Sequence, residues 1–226
     1  MTRQVSALNK MGVKNLQIGR FQEAILSFRH AIEVMKSNTS NFKCAMESGL
    51  KDSTDGFCLD RITLGCHEEP DDTECSPHNT FDLFSCAFGL PKIKSVATMP
   101  IEISLVLLYN LGLAYHMSGL FHQENSSHKL SEAHRCYTLS LALFEKCIDS
   151  EMNPSCYAVI CANLNNMGHI LSHLLLVEEA QACAQHLQVL LDSPEVTVDL
   201  TEEEAQFFFL TCSYVQNFRF HAAPAA

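Results

Sequence analysis

Three stretches of this chain repeat one arrangement: a Leu, an apolar residue three positions on, a Gly directly after it, and further along the dipeptide Glu-Ala. The residues are Leu8, Met11 and Gly12 with Glu23-Ala24; Leu108, Leu111 and Gly112 with Glu132-Ala133; and Leu164, Met167 and Gly168 with Glu179-Ala180. In the first and third stretches the Ala follows the Gly by 12 residues (12 to 24, 168 to 180), and in the second by 21 (112 to 133). Apolar residues spaced three and four apart around each Gly and Ala describe one face of a helix. A small residue on each of two helices lets their backbones approach closely. The pattern therefore predicts pairs of antiparallel helices, A and B, in a mainly α fold.

The second stretch reads Leu111-Gly112-Leu113-Ala114-Tyr115, and the first reads Ala24-x-x-x-Phe28 with Ala31 beyond it. With the Gly and Ala positions, these residues resemble the tetratricopeptide repeat (TPR), a 34-residue helix-turn-helix unit marked by Leu-Gly-x-x-Tyr and then Ala-x-x-x-Phe. Gly19 and Gly119 fall where the family turns between helices A and B. The array is interrupted: the packing glycines stand 100 and 56 residues apart (12 to 112, 112 to 168), the family's Trp is missing because the chain has none, and no Pro ends the first helix B. The nine residues Phe121–Lys129 are expected between the helices of the second pair. About three hairpins broken by a strand-bearing insertion are similar to divergent TPR-like proteins of some algal lineages.

The resemblance implies a concave groove lined by helices A. It would be formed by Ser6, Asn9, Lys10, Val13, Leu16 and Gln17, then Val106, Tyr109, Asn110, Leu113, His116 and Met117, then Ala162, Asn165, Asn166, His169, Ser172 and His173. Asn110 and Asn166 share one position, two residues before the Gly. A carboxamide there can both donate to and accept from the backbone of an extended peptide. The candidate peptide-binding residues are Asn9, Lys10, Val13, Tyr109, Asn110, Leu113, His116, Asn165, Asn166, His169 and His173. The alternative is that these Asn side chains bond to the chain's own loops or to water. TPR domains that clamp a carboxylate tail do so with Lys and Arg, whereas this chain has Asn9, Val13, Ala162 and Asn166 at those positions, which argues against such a clamp.

The domain reading is a first hairpin over 1–37, an insertion over 38–100, the second and third hairpins over 101–192, a linker and capping helix over 193–218, and a disordered tail over 219–226. The insertion holds five Cys, four of the seven Pro and the acidic patch His67–Glu74. Within it, "FCLDRITLG" and "NTFDLFSCAFGL" alternate apolar and polar residues between turn formers, which predicts two short strands. Ser193-Pro194 breaks the chain before "TEEEAQFFFLTCSYVQNF". Thr201 with Glu204 three residues later is a capping box that starts a final helix, whose Phe207, Phe208 and Leu210 are expected to cover the end of the array.

With 226 residues, 47% of them hydrophobic, the chain is long enough to bury a large core. Its 15 Lys and Arg stand against 26 Asp and Glu, for a net charge of -11, and no cluster of five basic residues is present to face a phosphate backbone; no nucleic-acid partner is expected. The first residues lack a signal-peptide pattern and no stretch of about 18 residues is uninterruptedly apolar, so a cytoplasmic or nuclear protein that does not span a membrane is expected. Eleven Cys in such a setting are expected as reduced thiols, many of them buried. No phosphate loop, Gly-x-Ser-x-Gly or Cys-x-x-Cys occurs, and Glu178 and Glu179 read as solvated turn residues, so no enzyme and no cofactor is expected. His169 and His173 stand one helical turn apart, and Cys66-His67 with Cys75-x-x-His78 offer four further ligands. A metal-binding or metal-sensing protein is one alternative to a protein-interaction module. A structural subunit whose insertion fills its own groove is the other.

Overall fold

The computed structural model describes residues 2–46, 58–64, 81–91, 100–122, 124–146 and 153–217. Along the chain these form helices α1 (Thr2–Gln17) and α2 (Phe21–Met46), strands β1 (Asp60–Thr63) and β2 (Cys86–Gly89), and helices α3 (Pro100–Phe121), α4 (Ser126–Glu145), α5 (Ser155–His173), α6 (Val177–Leu191), α7 (Pro194–Thr197) and α8 (Glu202–Asn217). The fold is mainly helical with a small β insertion. The described residues divide into two compact units, one drawn from Met1–Glu69 and Ser85–Asn163, the other from Pro70–Phe84 and Leu164–Ala226.

In the first unit α1 packs on α2, α3 on α4, and α2 on α3. The packing glycines explain the close approach. A Cβ on Gly12 would lie 2.5 Å from the Phe28 ring, and one on Gly112 would lie 2.6 Å from the Tyr137 ring. Phe28 stands four residues after Ala24, and Tyr137 four after Ala133, so each hairpin seats one helix-B ring over one helix-A glycine. Both rings are fully buried, each contributing about 1.5–3 kcal/mol of apolar transfer. Helix α3 includes Ile101–Phe121, long and apolar enough by length and composition to cross a membrane, with 83% of its apolar window buried inside the protein. It packs on α2, α4 and β2. β1 and β2 pair antiparallel, with Asp60 opposite Gly89 and Thr63 opposite Cys86, as the alternation in the insertion predicts.

The second unit holds the C-terminal part of α5, helices α6 to α8, and residues 81–84. Its core gathers Phe81, Leu171, Ala180, Cys183, Ala184 and Val215, with Met167 packed against it. Helix α8 opens on the predicted capping box in both directions: Thr201 N–H donates to Glu204 Oε2 (2.9 Å), and Glu204 N–H donates to Thr201 Oγ1 (3.2 Å).

Several boundaries differ from the sequence reading. The second helix of the first hairpin runs past 37 to Met46, since no Gly or Pro interrupts the chain between Gly19 and Gly49. Gly119 lies inside α3 and not in a turn, and the residues expected between α3 and α4 are mostly helical, with α4 starting at Ser126. Asn125 makes the reversal there with φ 59°, a left-handed conformation Asn tolerates. On α8, Phe208 is buried but Leu210 is 48% exposed. Glu204, Phe208, Thr211, Cys212 and Val215 share the inward face at helical spacing, and Leu210 falls on the other side. The acidic patch, the pairs Cys66-His67 and Cys75-x-x-His78, and the tail 219–226 lie outside the described residues.

Candidate functional site

Residues 81–89 run through the described part of the insertion, and helix-A side chains hold the main chain of that segment. In the first unit, Asn110 accepts a hydrogen bond from Phe88 N–H (3.0 Å) and donates to Phe88 C=O (2.7 Å). Its Nδ2 also donates to Asn9 Oδ1 (2.9 Å), and Asn9 Nδ2 donates to Phe88 C=O (3.1 Å). Tyr109, one residue before Asn110, donates its hydroxyl to Cys86 C=O at 2.9 Å.

The second unit repeats this register four residues earlier in the segment. Asn166 accepts from Phe84 N–H (2.9 Å) and donates to Phe84 C=O (3.1 Å). Asn165, one residue before it, donates to Asp82 C=O (2.8 Å) and to Asn166 Oδ1 (3.2 Å). Each unit thus holds one Phe by both backbone groups, through the Asn two residues before the packing Gly. Each also holds the carbonyl two residues upstream through the side chain just before that Asn.

The strand period explains why these groups are available. Successive backbone groups of an extended chain point to opposite edges. The odd edge of β2 meets β1, extended by Leu64 N–H donating to Ser85 C=O (3.0 Å). Cys86 and Phe88 then face the other edge, where Tyr109, Asn110 and Asn9 stand. A carboxamide carries the same donor and acceptor as a peptide group, so Asn110 takes the place of a neighbouring strand. Without it, the Phe88 N–H would lose its partner at about 1–3 kcal/mol, while Phe88 C=O would keep the bond from Asn9.

The remaining candidates divide by exposure. Asn9, Tyr109, Asn110, Asn165 and Asn166 are all fully buried and all bond to the segment or to one another. Val13 and Leu113, expected on the groove, are buried as core residues. His116 is buried and shares a hydrogen bond between Nδ1 and the Tyr137 hydroxyl at 3.3 Å. Lys10 points to solvent, because a buried ammonium with no counter-charge is costly. His169 is 6% exposed while His173 is exposed, with ring centroids 5.4 Å apart. Burial, and secondarily the neighbouring His173, push the His169 imidazole down to about 4. Among the described residues, no group of three or more His, Cys, Asp or Glu side chains is placed to hold a metal ion.

The residues missed from the sequence are those on the segment itself. Asp82, Phe84, Cys86 and Phe88 present the backbone that the asparagines hold, and Phe81 sits over Gly168. The available signals were the alternation that marked the strands and the small Ala184 where the other hairpins carry a ring. No protein-family model matches the chain, and neither a curated protein nor a solved structure does.

Proposed function

We propose that the chain is a non-enzymatic protein-interaction module in which the helix-A face of each unit reads the main chain of an extended segment, with residues 86–88 as the resident ligand of the first unit and residues 82–84 as that of the second. The observation that carries this reading is the pair of two-point clamps, Asn110 on Phe88 and Asn166 on Phe84. Backbone contacts of this kind supply affinity with little dependence on sequence, as in strand-addition recognition. A partner offering an extended segment would meet the same donors and acceptors.

A labelled peptide carrying residues 80–90 tests the reading on the full chain. Fluorescence anisotropy is expected to rise as the peptide exchanges with the resident segment. In mild urea, where the resident segment is released, Asn110→Ala and Asn166→Ala are each expected to bind the peptide about tenfold more weakly, from about 1 kcal/mol for each of two lost hydrogen bonds, partly offset by water. A specific observation favours the second reading, a structural subunit with a permanently filled groove: Phe81, Ala87 and Phe88 are 1%, 0% and 0% exposed. If the peptide fails to bind the wild-type chain even in mild urea, the structural-subunit reading replaces the first.

A further inference from the structure

The three packing glycines have different partners. Over Gly12 and Gly112 lie Phe28 and Tyr137, each from the helix B of its own hairpin and each four residues after the Ala of the Glu-Ala dipeptide. In the third hairpin that position is Ala184, four after Ala180, and its methyl group leaves the space over Gly168 empty of any helix-B ring. The ring of Phe81, from the insertion, occupies the space instead, and a Cβ on Gly168 would overlap it. Phe81 is 1% exposed and packs with Leu171, Ala180, Cys183, Ala184 and Val215.

Three residues on, Phe84 lies against Phe207 and Phe208 of α8, with ring centroids at 5.4 and 4.9 Å. Both phenylalanines flank the main chain that Asn165 and Asn166 hold. The second unit thus combines a backbone clamp with two places for rings.

We propose that Gly168 and Ala184 form an aromatic-ring subsite, and that together with the Phe207–Phe208 face they select an extended segment of the pattern Phe-x-x-Phe, of which residues 81–84 are the resident example. The proposal rests on the backbone-reading function and adds sequence selectivity to it. Ala184 is the determinant: a ring at that position would close the subsite from within the hairpin, as Phe28 and Tyr137 do in the other two.

Double-variant melting with a small aromatic probe is the test. Phe81→Ala is expected to lower Tm by on the order of 10 °C. Ala184→Phe is expected to lower Tm in the wild-type chain, where two rings compete for one space, yet to restore most of the loss in Phe81→Ala. Toluene is expected to raise the Tm of Phe81→Ala while leaving the wild type and the double variant unchanged. Should Phe81→Ala not fold alone, cooperative melting of Phe81→Ala/Ala184→Phe is the readout. The proposal is overturned if Ala184→Phe costs as much in Phe81→Ala as in the wild type, if the double variant does not melt cooperatively, or if toluene raises all three alike. None of these readouts involves Asn110 or Asn166. Failure here would leave the backbone clamps standing, and failure of the peptide experiment would leave the ring space over Gly168 but remove its role in selecting a segment.

Discussion

At the scale of single residues, the clamps depend on side-chain length and on having both hydrogen-bonding senses in one group. Asn offers a donor and an acceptor close to its helix, whereas Ser or Thr would offer one oxygen and Ala neither. The same burial that makes the clamps effective penalises charge nearby. His169, four residues after Asn165, has its imidazole pushed down to about 4, first by burial and then by His173. The unfolded chain takes up this proton near pH 6.5 and the folded chain only near 4, so folded stability is complete above about 6.5 and is lost as pH falls toward 4. The contribution is about 3 kcal/mol, from 1.36 kcal/mol for each tenfold difference in proton affinity. Urea unfolding of the wild type and His169→Gln at pH 7.5 and 4.5 measures it. The variant should lose about 2.5 kcal/mol less between the two pH values, since pH 4.5 is still above the folded value, and parallel losses would show that His169 is not the group responsible.

At the scale of elements, the turns after the helices A of the first and third hairpins use one motif with different residues. After α1, Gly19 N–H donates to Leu16 C=O (3.1 Å) and Arg20 N–H to Asn15 C=O (2.9 Å), with Gly19 at φ 72°. After α5, Leu175 N–H donates to Ser172 C=O (3.0 Å) and Leu176 N–H to Leu171 C=O (2.9 Å), with Leu175 at φ 59°. Both are Schellman caps seven residues after a packing Gly (12 to 19, 168 to 175), and only the first has the residue that such a cap favours. A Leu in the left-handed region costs about 1–2 kcal/mol. Leu175 is also 73% exposed, so little packing opposes its removal. Leu175→Gly should therefore stabilise the chain by about 0.5–1 kcal/mol after the added freedom of the unfolded Gly is subtracted, seen as a rise in the urea midpoint with an unchanged slope. A fall in the midpoint would mean that Leu175 packs usefully. The second hairpin has Gly119 at the matching position and keeps it helical. Ser126 Oγ donates to Gly119 C=O (2.7 Å), and the reversal passes to Asn125. Repeat spacing located the cap position but not the residue at which the chain would actually turn.

For the whole molecule, the thiols offer a test of both units in one experiment. Among the described residues, Cys86, Cys136, Cys156, Cys161, Cys183 and Cys212 are buried, while Cys58 is exposed. Burial pushes the Cys136 and Cys183 thiols up to about 12 and that of Cys212 up to about 11, so almost no reactive thiolate forms at neutral pH. Iodoacetamide at pH 7.5 should alkylate Cys58 in the native chain and leave those six unmodified until urea is added, as mapped by mass spectrometry. Rapid native labelling of Cys136 would contradict the first unit's packing, and of Cys183 or Cys212 the second's. Much of the fold could be read in the sequence because its signals are local. Helical spacing, strand alternation in "FCLDRITLG" and "NTFDLFSCAFGL", and the Thr201–Glu204 box each act within a few residues, and the Gly and Ala of each hairpin act between consecutive helices, where backbone geometry dictates which side chains meet. Local chemistry also singled out Asn110 and Asn166, since a carboxamide two residues before a packing Gly can hold an extended backbone. The tertiary structure alone decided what they hold. Pairing Asn110 with Phe88 joins residues 22 apart, and pairing Asn166 with Phe84 joins residues 82 apart. Which extended segment fills a helix face depends on the burial of Phe81, Phe84 and Phe88 against residues distant in sequence, and no short-range periodicity encodes that choice.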